Sequence, residues 1–165
     1  MKIETLVVGM LQENCYIVTV GDNSFIVDPG DEADRIIDAC KGKNIKEILI
    51  THHHFDHVGA LEKLEQYFGL KENVSSNLFN YEVIKTLGHT IDSVTYYFPD
   101  EKVMFTGDFV FFHTIGRTDL PTGSDEDMVK SLELISNYPD DIEVYPGHGP
   151  KTNLGKEKSN FKYYV

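Results

Sequence analysis

The stretch "IKEILITHHHFDH", Ile45 to His57, sets an apolar, strand-like run directly against four histidines and an aspartate. Titratable side chains crowded at the end of a buried-type strand need a rigid sheet to carry them and a loop to aim them. His52 and His54 are two apart in an extended segment and point the same way, while His53 between them points to the other side. Asp56 and His57 fall at the turn into the next helix and can face a second centre.

The pattern recurs along the chain. "YEVIKTLG" runs into His89, "VMFTG" into Asp108 and "EVYPG" into His148. The meeting of these four loops at one point is an expectation. If they meet, they assemble five imidazoles and two carboxylates. One tetrahedral zinc takes four ligands, so seven donors suit two ions about 3.5–4 Å apart, the spacing of two-metal hydrolases. Asp108 is the carboxylate expected to bridge them. His113, in "FFHTIGR", is read as a loop residue, with substrate contact as the alternative.

The rest of the sequence supplies the scaffold. "IETLVVG", "CYIVTVG" and "SFIVDPG" read as successive strands ending in turn residues. "DEADRIIDACKG" reads as a helix capped by Asp31 and closed by Gly42, with Ile36, Ile37 and Cys40 on one face. Val58, Leu61, Leu64 and Phe68 recur at helical spacing before Gly69. "SVTYYF" and "KVMFTG" are strands. "SDEDMVKSLELISNYP" is a helix with Ser124 at its N-cap and Met128, Leu132 and Ile135 facing inward. Runs of strands with interspersed helices imply two sheets flanked by helices rather than a doubly wound parallel sheet.

Composition narrows the function classes. The chain has 165 residues and a net charge of −12. Such an acidic surface repels phosphate backbones, so a nucleic-acid partner is not expected. Two bound divalent metals would bring the charge to about −8. No apolar run approaches a membrane span, and the opening "MKIETLVVGMLQENCY" reads as a first strand rather than a signal peptide. Cys15 and Cys40 fit no paired metal spacing or disulfide framework and are read as buried thiols of a cytoplasmic protein. With no repeats or linker, one domain over residues 1–165 is expected.

At these motifs the chain resembles the metallo-β-lactamase fold superfamily. The signature H-x-H-x-D-H stands as His52, His54, Asp56 and His57. "LGHT", "FTGD", "YPGHG" and "VDPG" match the other family elements, and "IGRTDLPTG" with "PGHGPKTNLGKEK" is similar to the small glyoxalase II-like hydrolases. The resemblance implies an α+β fold, a four-layer αββα sandwich with the site at one edge. It also implies one metal on His52, His54 and His89, another on Asp56, His57 and His148, and Asp108 between them. Asp28 of "VDPG" would hold a ligand imidazole by a hydrogen bond, or simply form a turn. Arg117 is expected to lock onto Asp119 rather than meet an anionic substrate, and Tyr145 to line the pocket or pack in the core.

The implied activity is a metal-dependent hydrolase, zinc most expected and iron or manganese alternatives, in which hydroxide held between the metals cleaves a thioester such as S-lactoylglutathione or a related ester. Asp56 and Asp108 are its catalytic carboxylates. The alternative is a mononuclear iron, persulfide dioxygenase-like enzyme on the same fold. The partner is a small molecule, the protein a monomer or homodimer, with no membrane or nucleic acid.

Two features depart from the family pattern. "GHTIDSV" places Ile91 and Asp92 where the family has proline and glycine; aspartate tolerates a positive φ better than most residues, so the turn is expected to survive, with the Asp92 carboxylate adding negative charge near the site. Few residues separate His57 from His89. The shortening falls around Leu70–Ser76 and implies a shorter sheet edge, with a more open cleft or a dimer contact.

Overall fold

The computed structural model describes residues 1–164. The chain divides into two compact units, Met1–Asn80 and the part from Tyr81 onward.

The first unit is built on a four-stranded sheet ordered β1-β2-β3-β4. Strands β1 (Lys2–Val8), β2 (Glu13–Val20) and β3 (Asn23–Val27) run antiparallel. The chain then crosses over through helix α1 (Ala33–Ala39) to β4 (Ile45–Leu49), which lies parallel to β3, the connection that parallel pairing requires. Short helix α2 (Phe55–Val58) and α3 (Leu61–Phe68) follow. The single helix suggested by the apolar spacing is broken at Gly59. A Cβ there would come within 2.3 Å of the Gly30 carbonyl oxygen, so the chain is pinned to the end of β3. Gly69 ends α3 in the left-handed conformation, as its position suggested. The core of this unit gathers Cys15, Ile17, Ile26, Ile36, Ile48, Leu64 and neighbours.

Asp31 does not cap α1. The N-cap is Glu32, left-handed at φ 54° and without a side-chain cap bond; Asp31 Oδ1 accepts only from the adjacent Glu32 N–H at 2.6 Å. Glu32 Oε2 instead accepts from Gly9 N–H at 2.9 Å, so the helix entry is fixed by a contact distant in sequence.

The shortened region behaves as a strap along β4. Glu72 bridges Ile48, Asn73 N–H donates to the Ile48 carbonyl at 2.8 Å, and Asn73 Oδ1 accepts from Ile50 N–H at 2.8 Å. Ser76 donates through N and Oγ to buried Glu47 Oε1, each at 2.6 Å. These bonds satisfy part of an edge that would otherwise template aggregation.

The second unit has a five-stranded sheet ordered β11-β10-β7-β6-β5 and a two-stranded ribbon β8-β9. Strands β5 (Glu82–Lys85), β6 (Val94–Phe98) and β7 (Val103–Gly107) are antiparallel neighbours. β8 (Val110–Phe111) and β9 (Thr114–Ile115) form the ribbon. Helix α4 (Asp125–Ile135) leads to β10 (Glu143–Pro146), parallel to β7. β11 (Thr152–Asn153), α5 (Leu154–Lys158) and a 3₁₀ turn at Phe161–Tyr163 close the unit. Ser124 caps α4 as the sequence indicated, its Oγ accepting from Asp127 N–H at 3.2 Å, and Met128, Leu132 and Ile135 are buried. Among the described residues no helix is long and apolar enough to cross a membrane.

Candidate metal centre

In the first unit, the loop after β4 is clamped onto the end of β3. Asp28 carries the clamp. Its Oδ1 accepts from Thr51 N–H at 2.7 Å, and its Oδ2 from Thr51 Oγ1 at 2.6 Å and from His57 Nδ1 at 2.9 Å. Asp28 is also left-handed at φ 49°, a conformation aspartate tolerates. The turn role and the imidazole-holding role therefore coexist in one residue. Gly30 lets the backbones touch, since a Cβ there would lie 1.8 Å from the Asp56 carbonyl oxygen. Ala60 N–H donates to the Pro29 carbonyl at 3.0 Å.

These bonds fix which imidazole nitrogens can bind metal. Asp28 can only accept from His57 Nδ1–H, so the lone pair of His57 is on Nε2. The single Thr51 hydroxyl proton goes to Asp28. Towards His52 Nδ1, 3.2 Å away, Thr51 can then only accept, so His52 also carries its lone pair on Nε2. His52 Nε2 faces His54 Nδ1 at 3.2 Å, and His57 Nε2 faces Asp56 Oδ2 at 3.7 Å. Two donors bound to one tetrahedral ion at roughly 2.1 Å sit about 3.4 Å apart. The first unit thus offers two donor pairs at that separation. His53 lies outside both pairs. It is exposed, and its Nε2 meets Glu72 Oε2 at 2.7 Å.

In the second unit, parallel pairing places two further donors side by side. Gly147 N–H donates to the Gly107 carbonyl at 2.9 Å, so Asp108 and His148 leave the sheet together. Asp108 Oδ2 is 3.6 Å from His148 Nε2 and 3.4 Å from His89 Nε2. His89 Nδ1 donates to the Arg117 carbonyl at 2.7 Å, which again leaves Nε2 for a metal. The His89 loop is pinned to α4: Gly88 O accepts from Ser124 N–H at 2.8 Å, and a Cβ on Gly88 would meet Met128 Cα at 2.6 Å. The donor chemistry of each unit fits divalent metal ions.

Arg117 forms a bidentate pair with Asp119, at 2.6 and 2.8 Å, and this pair holds the Asp119 carboxyl down at about 2. The arginine therefore braces the loop whose carbonyl orients His89. Tyr145 packs its ring on Phe105 and donates to Glu143 Oε2 at 3.0 Å. His113 is exposed and left-handed at φ 58°, its backbone N–H tied to Glu157 Oε2 at 3.0 Å. Asp92 does not take a positive φ. The Ile91–Asp92 turn is held by side chains instead, Thr90 Oγ1 donating to Asp92 Oδ1 at 2.6 Å and lying 2.6 Å from Ser93 Oγ, so no glycine is needed. Two residues of this neighbourhood escaped sequence reasoning: Thr51, which relays His52 to Asp28, and Glu13, buried beside His57.

The sequence model described as the metallo-beta-lactamase superfamily matches residues 8–78 and 75–148. The chain belongs to that superfamily. The two matched stretches overlap at residues 75–78. The chain is 32% identical to hydroxyacylglutathione hydrolase GloC of Haemophilus influenzae over 202 aligned positions, covering 96% of this chain and 95% of that relative. Those 202 positions exceed the 165 residues present, so the relative carries internal positions that this superfamily member lacks. Among solved structures it is similar to the BLEG-1 B3 metallo-beta-lactamase, with a TM-score of 0.89 and 28% identity over 98% of this chain and 99% of that one. It is also similar to TTHA1623 in a di-iron-bound form, with a TM-score of 0.87 and 30% identity over 97% and 99%. The α+β fold of the superfamily is the fold of this chain.

Proposed function

We propose that the chain is a metal-dependent hydrolase of thioesters or related esters, S-lactoylglutathione among them, working with two divalent ions. In this reading both units act as one domain. His52, His54 and His89 would hold one ion and Asp56, His57 and His148 the other, with the Asp108 carboxylate available to both. The observation that carries it is the set of locked tautomers: His52, His57 and His89 each spend Nδ1–H on an oxygen of this chain, leaving Nε2 for a cation. A divalent ion bound there lowers the pKa of its water towards about 7 and polarises a carbonyl oxygen. The superfamily membership and the relative named as a hydroxyacylglutathione hydrolase support the reaction class. The di-iron neighbour supports two ions, with iron and manganese as alternatives to zinc.

The chain's own residues supply binding and orientation. A groove of about 300 Å³ opens beside Asp56, walled by Val8, Met10, Leu11 and Phe55 with Asp31 at its rim. Met10 and Phe55 are 98% and 74% exposed, so an acyl group laid against them buries apolar surface worth roughly 25 cal/mol per Å². A thiolate leaves readily, so no general acid is required of the protein. The two buried free thiols agree with a reducing compartment, the cytoplasm.

The test is turnover by zinc-, iron- and manganese-loaded protein against thioesters, lactones and glutathione persulfide. Thioester hydrolysis lost on chelation is the expected result. One equivalent of iron with oxygen uptake and no hydrolysis would make the dioxygenase the right reading.

A further inference from the structure

Strand β2 puts a glutamate where its pattern calls for an apolar side chain. Glu13, Cys15 and Ile17 lie on one face of the strand. Cys15 and Ile17 belong to the core of the first unit, and Glu13 is 1% exposed. Glu13 Oε1 lies 3.9 Å from His57 Nδ1, the nitrogen that donates to Asp28 Oδ2 at 2.9 Å. One ligand-type atom from each of Glu13, Asp28 and His57 falls within 4.8 Å of the others. Glu13 Oε2 is pressed against Gly30, where a Cβ would approach it to 2.5 Å. Two carboxylates therefore stand together behind one imidazole.

Buried like charges at this separation repel, and burial removes the water that would screen them. The neighbouring Cys15 thiol is pushed well above the ordinary range, first by burial and next by the Glu13 and Asp28 carboxylates. Asp28 is already engaged in fixing Thr51 and His57, so a second carboxylate adds little to the orientation of the ring. What it adds is negative charge on the side of the imidazole opposite Nε2.

We propose that Glu13 is a positioning residue for the cation held by His57, its buried charge acting through the ring to strengthen metal binding at the expense of the metal-free protein. The inference rests on reading His57 as a metal ligand. It separates from an ordinary structural role by sign. A merely structural Glu13 stabilises the protein with and without metal. A charge kept for the cation strains the metal-free protein and stabilises the loaded one.

The experiment compares full-length parent, Glu13→Gln and Glu13→Asp in two measurements: zinc affinity by competition with a chromophoric chelator, and thermal unfolding of the metal-free protein. Glu13→Gln is expected to bind one of two zinc equivalents about 10–100-fold more weakly, the range for lost outer partners of a ligand. Its metal-free melting temperature should equal or exceed that of the parent. Glu13→Asp, which keeps the charge, should bind zinc more like the parent than like Glu13→Gln. Unchanged zinc affinity in Glu13→Gln overturns the proposal. So does a metal-free Glu13→Gln that melts lower or fails to fold, or a Glu13→Asp as weak as Glu13→Gln. A parent that takes up zinc but cleaves no ester refutes the hydrolase reading and leaves this one standing; a parent that takes up no metal refutes both.

Discussion

Asp28→Asn removes one charge and exchanges one acceptor for a donor at the point where β3 meets the histidine loop. The parent carboxylate accepts three hydrogen bonds, from Thr51 N–H at 2.7 Å, Thr51 Oγ1 at 2.6 Å and His57 Nδ1 at 2.9 Å. Asparagine tolerates the φ of 49°, so the backbone does not confound the comparison. If the amide oxygen replaces Oδ2, the amide NH₂ faces Thr51 N–H and leaves a buried donor unsatisfied, costing about 1–3 kcal/mol. The two surviving bonds also lose their charge assistance, roughly half their strength. If the amide is reversed, NH₂ faces His57 Nδ1 and drives its proton to Nε2, where the metal must bind. Either way the metal-free protein should lose about 2–4 kcal/mol. At roughly 2–4 °C per kcal/mol for a chain of this size, the melting temperature should fall by about 5–15 °C. Zinc affinity should fall about 10–100-fold as well. Urea unfolding of the metal-free protein and chelator competition read the two quantities separately. A variant within about 0.5 kcal/mol of the parent, with unchanged zinc affinity, would refute the assignment of Asp28 as the clamp.

Other positions give sharper or smaller effects. Gly30→Ala would drive a methyl to 1.8 Å from the Asp56 carbonyl oxygen, so expression as soluble protein and zinc uptake should both collapse; a well-folded variant with parental uptake would contradict the contact. Ser124→Ala removes the α4 cap and should cost about 1 kcal/mol in urea unfolding, with zinc uptake retained. Cys15 and Cys40 should resist an aromatic disulfide reagent at pH 8 in the native protein and react once it is unfolded. Burial raises the Cys40 thiol to about 11 and lifts the Cys15 thiol well above the ordinary range. Above the unfolded thiol range, near 8.5–9, the unfolded chain loses those protons first, so stability should be full below that range and decline between about pH 9 and 11. A stability curve flat across that window would contradict the burial of the thiols.

Much of this was legible in the sequence because the signals were local. The strands ending in His52, His89, Asp108 and His148, the Ser124 cap and the inward Met128–Leu132–Ile135 face each follow from spacing or from one residue's chemistry. What stayed hidden depended on partners far along the chain. Asp31 has the right chemistry for a cap, yet Gly9 and Glu32 fix the entry to α1. Asp92 suggested a strained turn, but Thr90 and Ser93 hold it with side-chain bonds and no positive φ. The strap at Glu72–Ser76 carries no strand signal because it bonds to β4 mainly through side chains. Glu13 does carry a local signal: it is a charged residue two before Cys15 and four before Ile17, in step with the buried face.

The central claim is that His52, His54 and His89 share one ion and Asp56, His57 and His148 another. Anomalous diffraction at the zinc edge from zinc-loaded crystals tests it most directly. The account predicts two peaks about 3.5–4 Å apart, one bonded to His52 Nε2 and His54 Nδ1, the other to Asp56 Oδ2 and His57 Nε2, with Asp108 touching both. A single peak, or peaks away from these side chains, would contradict it.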